Sequence, residues 1–126
     1  MQYTILFLAA LLLALSPSAY SQGFNGIDLY KACNNIGGYA DNQGVCLGYL
    51  RGFTEGLYLG LYQGQLIGHA RKSCLPTPET GDPLDVTQVE LIAKKFLAAH
   101  PERLQEPAPT LLLEALSKAF HCASDK

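Results

Sequence analysis

In the stretch GYLRGFTEGLYLGLYQGQLIG, residues 48–68, a glycine stands at every fourth position. These glycines are Gly48, Gly52, Gly56, Gly60, Gly64 and Gly68. Apolar residues recur between them at helical spacing, so the stretch is predicted to be one helix. Six glycines inside a helix cost about 5 kcal/mol relative to alanine. The spacing must therefore serve a structure that offsets this cost.

Close helix packing is the structural role that this spacing favours. A line of small residues lets a neighbouring helix approach until the two backbones almost touch, which adds dispersion energy. Because residues four apart differ by about 40° around the axis, the line winds about 200° and one straight neighbour would cover only part of it. We predict packing against other helices of the domain, with a second copy of the chain left open as a further partner.

A membrane-spanning glycine zipper is the alternative interpretation of the same stretch. Charged and amide side chains inside it, Arg51, Glu55, Gln63 and Gln65, make a transmembrane span costly. The prediction of a water-exposed domain is therefore favoured.

The N-terminus of the 126-residue chain has the pattern of an export signal. The apolar run ILFLAALLLAL, residues 5–15, is too short for a stable transmembrane helix. Ala19 and Ser21 are the small residues that signal peptidase requires, so residues 1–21 are predicted to be a signal peptide cleaved before Gln22. A retained signal anchor is the alternative. Residues 22–126 suffice for one domain.

The charge pattern excludes several classes of partner. The formal net charge is −2, and Lys and Arg do not cluster. This pattern predicts neither nucleic acid nor an anionic membrane surface as a partner. The sequence also lacks a phosphate loop, a metal-ligand set and a nucleophile–base pair. We predict no cofactor, no metal and no catalytic residue.

The four cysteines, Cys33, Cys46, Cys74 and Cys122, are an even number in a short exported chain. This number predicts two disulfides formed in an oxidising compartment. A zinc site is the weaker alternative, because no close Cys-x-x-Cys pair exists. Thiol catalysis, from His69 with Cys74 or from His121 with Cys122, would require a thiol that stays reduced after export.

Helix length limits how these cysteines pair. Cys46 and Cys74 lie at opposite ends of the glycine-rich helix, about 42 Å apart, whereas a disulfide requires Cα atoms within about 7 Å. That pair is excluded, and two connectivities remain. If the third helix runs back along the second and the fourth runs forward again, the pairs Cys33–Cys46 and Cys74–Cys122 are favoured.

The remaining pattern predicts an all-α, compact bundle of about four helices stapled by two disulfides. The first helix is expected at about residues 26–35 with Asn25 as its N-cap, and the second at about 44–73. Thr87 and Glu90 form a capping-box pattern for a third helix that ends before His100–Pro101. The sequence PAPT, residues 107–110, opens a last helix that ends at Cys122.

The order of these landmarks resembles the Rap/Tai family of type VI secretion immunity proteins. The resemblance rests on CLGYLRGF, SCLP, LDVTQVELIAKKFLAAHPE and PAPTLLLEALSKAFHC, and it covers about residues 29–122. The chain departs from the family pattern at His121, where the family has proline, and at Ser73, where it has an aromatic residue. The segment after Cys74 is also longer and more acidic than in the family.

The resemblance implies a periplasmic helical protein that is not an enzyme. Family members bind secreted peptidoglycan amidases, often as dimers, and obstruct the active-site cleft. By this analogy the partner is a toxin that hydrolyses the cell wall. Two other classes remain open: a small periplasmic stress protein or chaperone resembling HdeA, and an unrecognised enzyme.

Candidate partner-binding residues follow from the sequence beside this resemblance. The segment LPTPETGDPLD, residues 75–85, holds three prolines, which stiffen a loop, and three acids, which would complement a basic cleft. The predicted contact residues are Pro78, Glu79, Asp82, Asp85, Tyr58 and Tyr62. The alternative is that the segment is a solvated connector and that the tyrosines belong to the core.

Overall fold

The computed structural model describes residues 23–66, Leu75 and residues 84–120, with side chains in the first range described to residue 63. Its helices are α1 (Gly26–Cys33), α2 (Asn42–Leu66), α3 (Val86–Ala99) and α4 (Ala108–Ala119), with a 3-10 turn at Pro101–Arg103. These ranges contain no strand, and one isolated antiparallel bridge joins Asn25 to Pro107. The predicted all-α class with about four helices is confirmed for them. The predicted signal peptide, residues 1–21, lies outside the described residues.

The helix starts follow from local side-chain chemistry. The Asn25 side chain accepts a hydrogen bond from the Asp28 N–H at 3.0 Å, and the Asp28 carboxylate accepts one from the Asn25 N–H at 3.2 Å. The predicted N-cap Asn25 is therefore confirmed. The predicted cap Thr87 is wrong, because α3 already begins at Val86 and Asp85 is its cap. The Asp85 side chain accepts from the Thr87 N–H at 2.8 Å, which satisfies an unpaired amide of the first turn.

One apolar core draws side chains from all four helices. Leu29, Leu50, Val89 and Leu112, one from each helix in chain order, are at most 1 % exposed. Each buried leucine contributes about 1.5–3 kcal/mol relative to exposure. The helix α2 packs on α1 and α3, while α4 packs on α3. The apolar faces of the four helices thus pack together in a single hydrophobic core.

A disulfide joins the end of α1 to the start of α2. Cys33 and Cys46 are bonded with their Cα atoms 4.9 Å apart, and both residues are at most 2 % exposed. This confirms the first predicted pair. The second predicted pair, Cys74–Cys122, lies outside the described residues. The observed bond closes a short loop, which limits the freedom of the unfolded chain.

Four glycines of α2 have no neighbouring helix against them among the described residues. Gly48, Gly52, Gly56 and Gly60, here called the glycine face, are all exposed. A Cβ atom built on any of the four would meet no heavy atom within 4 Å among the described residues. The expected approach of another helix of the domain is therefore not found there. The core instead takes the opposite side of α2, where Cys46, Leu50 and Thr54 are buried. The surroundings of Gly64 and Gly68 lie outside the described residues.

A network of ion pairs joins the 3-10 turn at Pro101–Arg103 to α4. The Arg103 guanidinium contacts the Glu106 carboxylate at 2.7 Å and the Glu114 carboxylate at 2.8 Å, and Lys118 contacts Glu114 at 2.8 Å. Hydrogen bonds from Arg103 and then Lys118 lower the pKa of Glu114 to about 2. The Arg103 hydrogen bond lowers the pKa of Glu106, and both carboxylates raise the pKa of Arg103. The network therefore stays charged through mild acid.

Candidate functional site: a pocket between α2 and the start of α3

The pocket lies where the middle of α2 passes the first turn of α3. It has a volume of about 340 Å³. Its lining residues are Arg51, Thr54, Glu55, Tyr58, Leu84, Asp85 and Val86. Two of them, Tyr58 and Asp85, are contact residues predicted from the sequence.

The Tyr58 side chain ties the two sides of this pocket together. Its hydroxyl oxygen accepts a hydrogen bond from the Leu84 N–H at 3.0 Å, while its ring packs on the core. Leu84 is itself 8 % exposed, so the chain enters α3 through a well-anchored position. Tyr58 therefore holds the pocket wall in place and also forms part of its surface.

Asp85 has a structural role as well as an exposed carboxylate. Hydrogen bonds from Thr87 lower the pKa of the Asp85 carboxyl, and the positive charge of Arg51 has a smaller effect in the same direction. Asp85 is therefore ionised at neutral pH, and its capping of α3 holds the carboxylate at the pocket mouth. The sequence predicted an acid for partner binding here, and the structure adds its part in helix initiation.

The mouth of the pocket carries charges of both signs. Arg51 and Glu55 are exposed and lie one helical turn apart, and Asp85 faces them from the start of α3. Thr54 is 7 % exposed, and its hydroxyl donates to the Leu50 carbonyl at 2.8 Å. That hydroxyl proton is therefore used within α2, and the lining combines charged, hydroxyl and apolar side chains.

The other predicted contact residues are distributed differently. Tyr62 follows Tyr58 by one helical turn and is 56 % exposed. Pro78, Glu79 and Asp82 lie outside the described residues. The structure thus brings Tyr58 and Asp85 to one pocket, with exposed Tyr62 one turn farther along α2.

Sequence reasoning missed several residues of this pocket. Arg51 and Glu55 read as an ordinary surface pair because they are spaced i,i+4. Nothing in the sequence placed them opposite Leu84 and Val86. That placement depends on how α2 and α3 pack, and a hydrogen bond between Gln43 and Glu90 is a second contact between the two helices.

A second, apolar groove lies beside the glycine face. Gly52, Phe53, Gly56 and Leu57 form one wall from α2. Pro109, Thr110 and Leu113 form the other wall from α4. The groove has a volume of about 420 Å³, and Leu113 on its rim is 48 % exposed. The sequence pointed to the glycines but not to the residues of α4.

The described part of the chain yields two negative findings about other kinds of site. No group of three or more His, Cys, Asp or Glu side chains is arranged to hold a metal ion in residues 23–66, 75 and 84–120. In the same ranges no helix combines the length and the apolar character that crossing a membrane requires.

Comparison with known proteins agrees with the resemblance in the sequence. The family model of the Rap1a immunity proteins matches residues 25–122, well over half of the chain. No curated protein and no solved structure matches the chain. The match begins at the capping residue of α1 and includes all four helices, the disulfide and the pocket. This protein belongs to the Rap1a immunity protein family.

Proposed function

We propose that this protein is a periplasmic immunity protein that binds and occludes a peptidoglycan amidase delivered by a type VI secretion system. The observation that carries the proposal is the family match over residues 25–122. The protein works by binding and is not an enzyme, and it needs neither metal nor cofactor. Its partner is a cell-wall hydrolase, and neither nucleic acid nor membrane is bound after the signal peptide is removed.

The packed helices suit an inhibitor because a disulfide, a shared core and an ion-pair network hold the surface of the helices in a fixed arrangement. The Cys33–Cys46 bond and the shared core restrict α1 and α2, and the Arg103 network fastens α4. A surface that is already ordered loses little conformational entropy when a partner binds. The disulfide also agrees with the oxidising periplasm that residues 1–21 would direct the chain to.

The pocket and the segment that precedes α3 form the proposed contact with the toxin. Asp85 and Tyr58 present an ionised carboxylate and an aromatic edge, and exposed Tyr62 extends this surface. Pro78, Glu79 and Asp82 belong to the same proposed surface because they precede Leu84 and Asp85 in the chain. Acidic residues here would steer association with a basic cleft.

The direct test is inhibition of enzyme activity. The genes beside this one are searched for a small cysteine–histidine amidase; the enzyme found is purified, and its hydrolysis of peptidoglycan is measured with and without the oxidised protein. We expect stoichiometric inhibition. Undiminished hydrolysis at a large excess of the protein would overturn the proposal.

The acidic segment is tested with the double variant Glu79→Ala/Asp82→Ala. We expect weaker inhibition, with slower association that depends less on salt, and an unchanged thermal midpoint. The matched control is Glu102→Ala, which removes an exposed carboxylate from the 3-10 turn. Equal inhibition by the double variant and the wild type would assign the segment the role of a solvated connector.

A homodimer through the glycine face is the second part of the proposal. The face is exposed, lacks side chains and adjoins the apolar groove, so a second copy could bring its own α2 close. Sedimentation velocity should show a dimer for the wild type and a monomer for Gly52→Leu/Gly56→Leu. Lys95→Leu, which places leucine on an exposed position of α3, should remain dimeric.

The alternative of an acid-activated chaperone resembling HdeA receives less support. Such a protein exposes apolar surface by unfolding at low pH, whereas here the buried Cys33–Cys46 disulfide restrains α1 and α2, and hydrogen bonds from Arg103 and Lys118 lower the pKa of Glu114 to about 2. Circular dichroism and dye binding at about pH 3 would show retained helix and no exposed core for an immunity protein of this kind.

A further inference from the structure

The connection between α1 and α2, residues 34–41, is closed at its base by a covalent bond. Cys33 immediately precedes it, and Cys46 lies in the first turns of α2. Both cysteines are buried, so the two ends of the loop are fixed to the hydrophobic core.

Hydrogen bonds fix the backbone within this loop. The Asn42 side chain, on a residue 8 % exposed, donates to the Asn35 side-chain oxygen at 3.1 Å and accepts from the Tyr39 N–H at 3.3 Å. The Ile36 N–H donates to the Lys31 carbonyl at 2.8 Å. Left-handed backbone at Asn35 (φ 56°) and Gly38 (φ 117°) makes the turns. The loop therefore has a specified conformation before any partner arrives.

Two large apolar side chains point out from this fixed backbone. Ile36 is 46 % exposed and Tyr39 is 41 % exposed. On a loop whose backbone is already fixed, these side chains would add buried apolar area to a complex at little cost in conformational entropy. Tyrosine is a frequent binding hot spot because its ring buries a large area and its hydroxyl keeps a hydrogen bond.

The charge around these side chains indicates the kind of surface they fit. The tip IGGYA, residues 36–40, carries no charged side chain. The adjacent Asp41 carboxylate accepts the Gly44 N–H at 2.8 Å and so serves the start of α2. A surface complementary to this tip would be apolar and uncharged, with a polar group within reach of the Tyr39 hydroxyl.

From these features we propose that the disulfide-anchored loop is a second toxin-contacting element, which places Ile36 and Tyr39 in an apolar pocket of the amidase. This inference rests on the proposed function. It concerns a surface separate from the pocket around Tyr58, because Asn42 and Tyr58 lie sixteen residues apart on α2, about 24 Å along its axis. The mixed-charge pocket steers and orients the partner, and the loop supplies buried apolar area.

The test uses the full oxidised protein and, as probe, a purified peptidoglycan amidase that the wild type inhibits. The double variant Ile36→Ala/Tyr39→Ala should raise the Kd for this amidase about 30-fold or more, as loss of a hot spot does. Its thermal midpoint should not change, because both side chains are exposed. Tyr39→Phe, which keeps the ring, should retain most of the affinity. The matched control is Leu91→Ala, which removes a 65 % exposed leucine from α3 and should leave the Kd unchanged.

Each other outcome has a distinct meaning. If the wild type inhibits the amidase and the double variant inhibits it equally, the loop inference is overturned and the proposed function stands. If the double variant loses only its self-association in sedimentation, the loop contacts a second copy and the inference is equally overturned. If the wild type inhibits no cell-wall amidase, the proposed function falls, and the loop inference falls with it.

Discussion

Two sets of glycines in this protein have opposite surroundings. Gly26, the first residue of α1, is buried, and a Cβ atom there would lie 2.5 Å from a Leu111 methyl carbon and 3.1 Å from the Leu104 carbonyl oxygen. The four glycines of the glycine face are exposed and meet nothing within 4 Å among the described residues. The isolated glycine is the one that permits close backbone approach.

The two sets differ in whether another backbone segment approaches the glycine. Around Gly26 the chain before α1 runs against the segment before α4, and backbone bonds link Gly26 to Glu106 at 2.9 Å, Ile27 to Leu104 at 2.8 Å and Ala108 to Phe24 at 3.1 Å. A side chain would push these backbones apart. On the glycine face no such approach exists within the described chain, and the core lies on the other side of α2. Regular spacing alone does not reveal where the helices of one domain meet.

The largest expected effect is at Gly26. We expect Gly26→Ala to lower the free energy of unfolding by about 1–3 kcal/mol, because the added methyl overpacks against Leu111 and the Leu104 backbone. Urea denaturation followed by circular dichroism measures this change. Gly23→Ala is the control, since nothing lies within 4 Å of that glycine. An unchanged midpoint for Gly26→Ala would show that the close approach is not needed.

A smaller effect of opposite sign is expected on the glycine face. Gly56→Ala should raise the free energy of unfolding by about 0.5–1 kcal/mol, because alanine is the better helix former and meets open space. The measurement is the same denaturation, made at a dilution where sedimentation shows a monomer. A loss of stability would mean that a neighbour inside the same chain packs on this face.

The smallest effect is a pH dependence at Glu114, which pairs with Arg103, the residue before Leu104. The folded-state pKa of Glu114 is about 2, below its ordinary 4.5, so its contribution to stability is full above pH 4.5 and is lost as the pH falls toward 2. Glu114→Gln should be less stable than the wild type at pH 6, and the difference should shrink between about pH 4.5 and 2. Denaturation at several pH values measures it. A difference that stayed constant through this range would contradict an ionised Glu114 as the source.

Much of the fold could be predicted because it depends on neighbours in the chain. Asn25 with Asp28 specifies where α1 starts, and His100–Pro101 ends α3. Helix length excluded Cys46–Cys74 and left two connectivities, of which the expected helix directions favoured the one with Cys33–Cys46, and the observed bond confirms that pair. The wrong prediction of Thr87 as the cap has a local cause as well. Asp85 and Thr87 are both residue types that cap helices, and it is the Asp85 side chain that accepts a hydrogen bond from the Thr87 N–H.

The candidate site was predictable only in part. Tyr58 and Asp85 were chosen for aromatic and acidic character, and the structure places them in one pocket. The sequence offered no reason to join Arg51 and Glu55 to Leu84 and Val86, nor to join Leu113 to the glycine face. These neighbours come from different helices, so their proximity depends on how the helices pack.

By itself, the sequence determined the helical class, the start of α1 and the family, because each of these depends on local chemistry or on the order of motifs. Only the tertiary structure decided which side of α2 is buried and which glycine lets backbones meet. The physical reason is that the core forms where the apolar stripes of several helices are buried together. A line of glycines has no side chains to bury, so it cannot direct that choice.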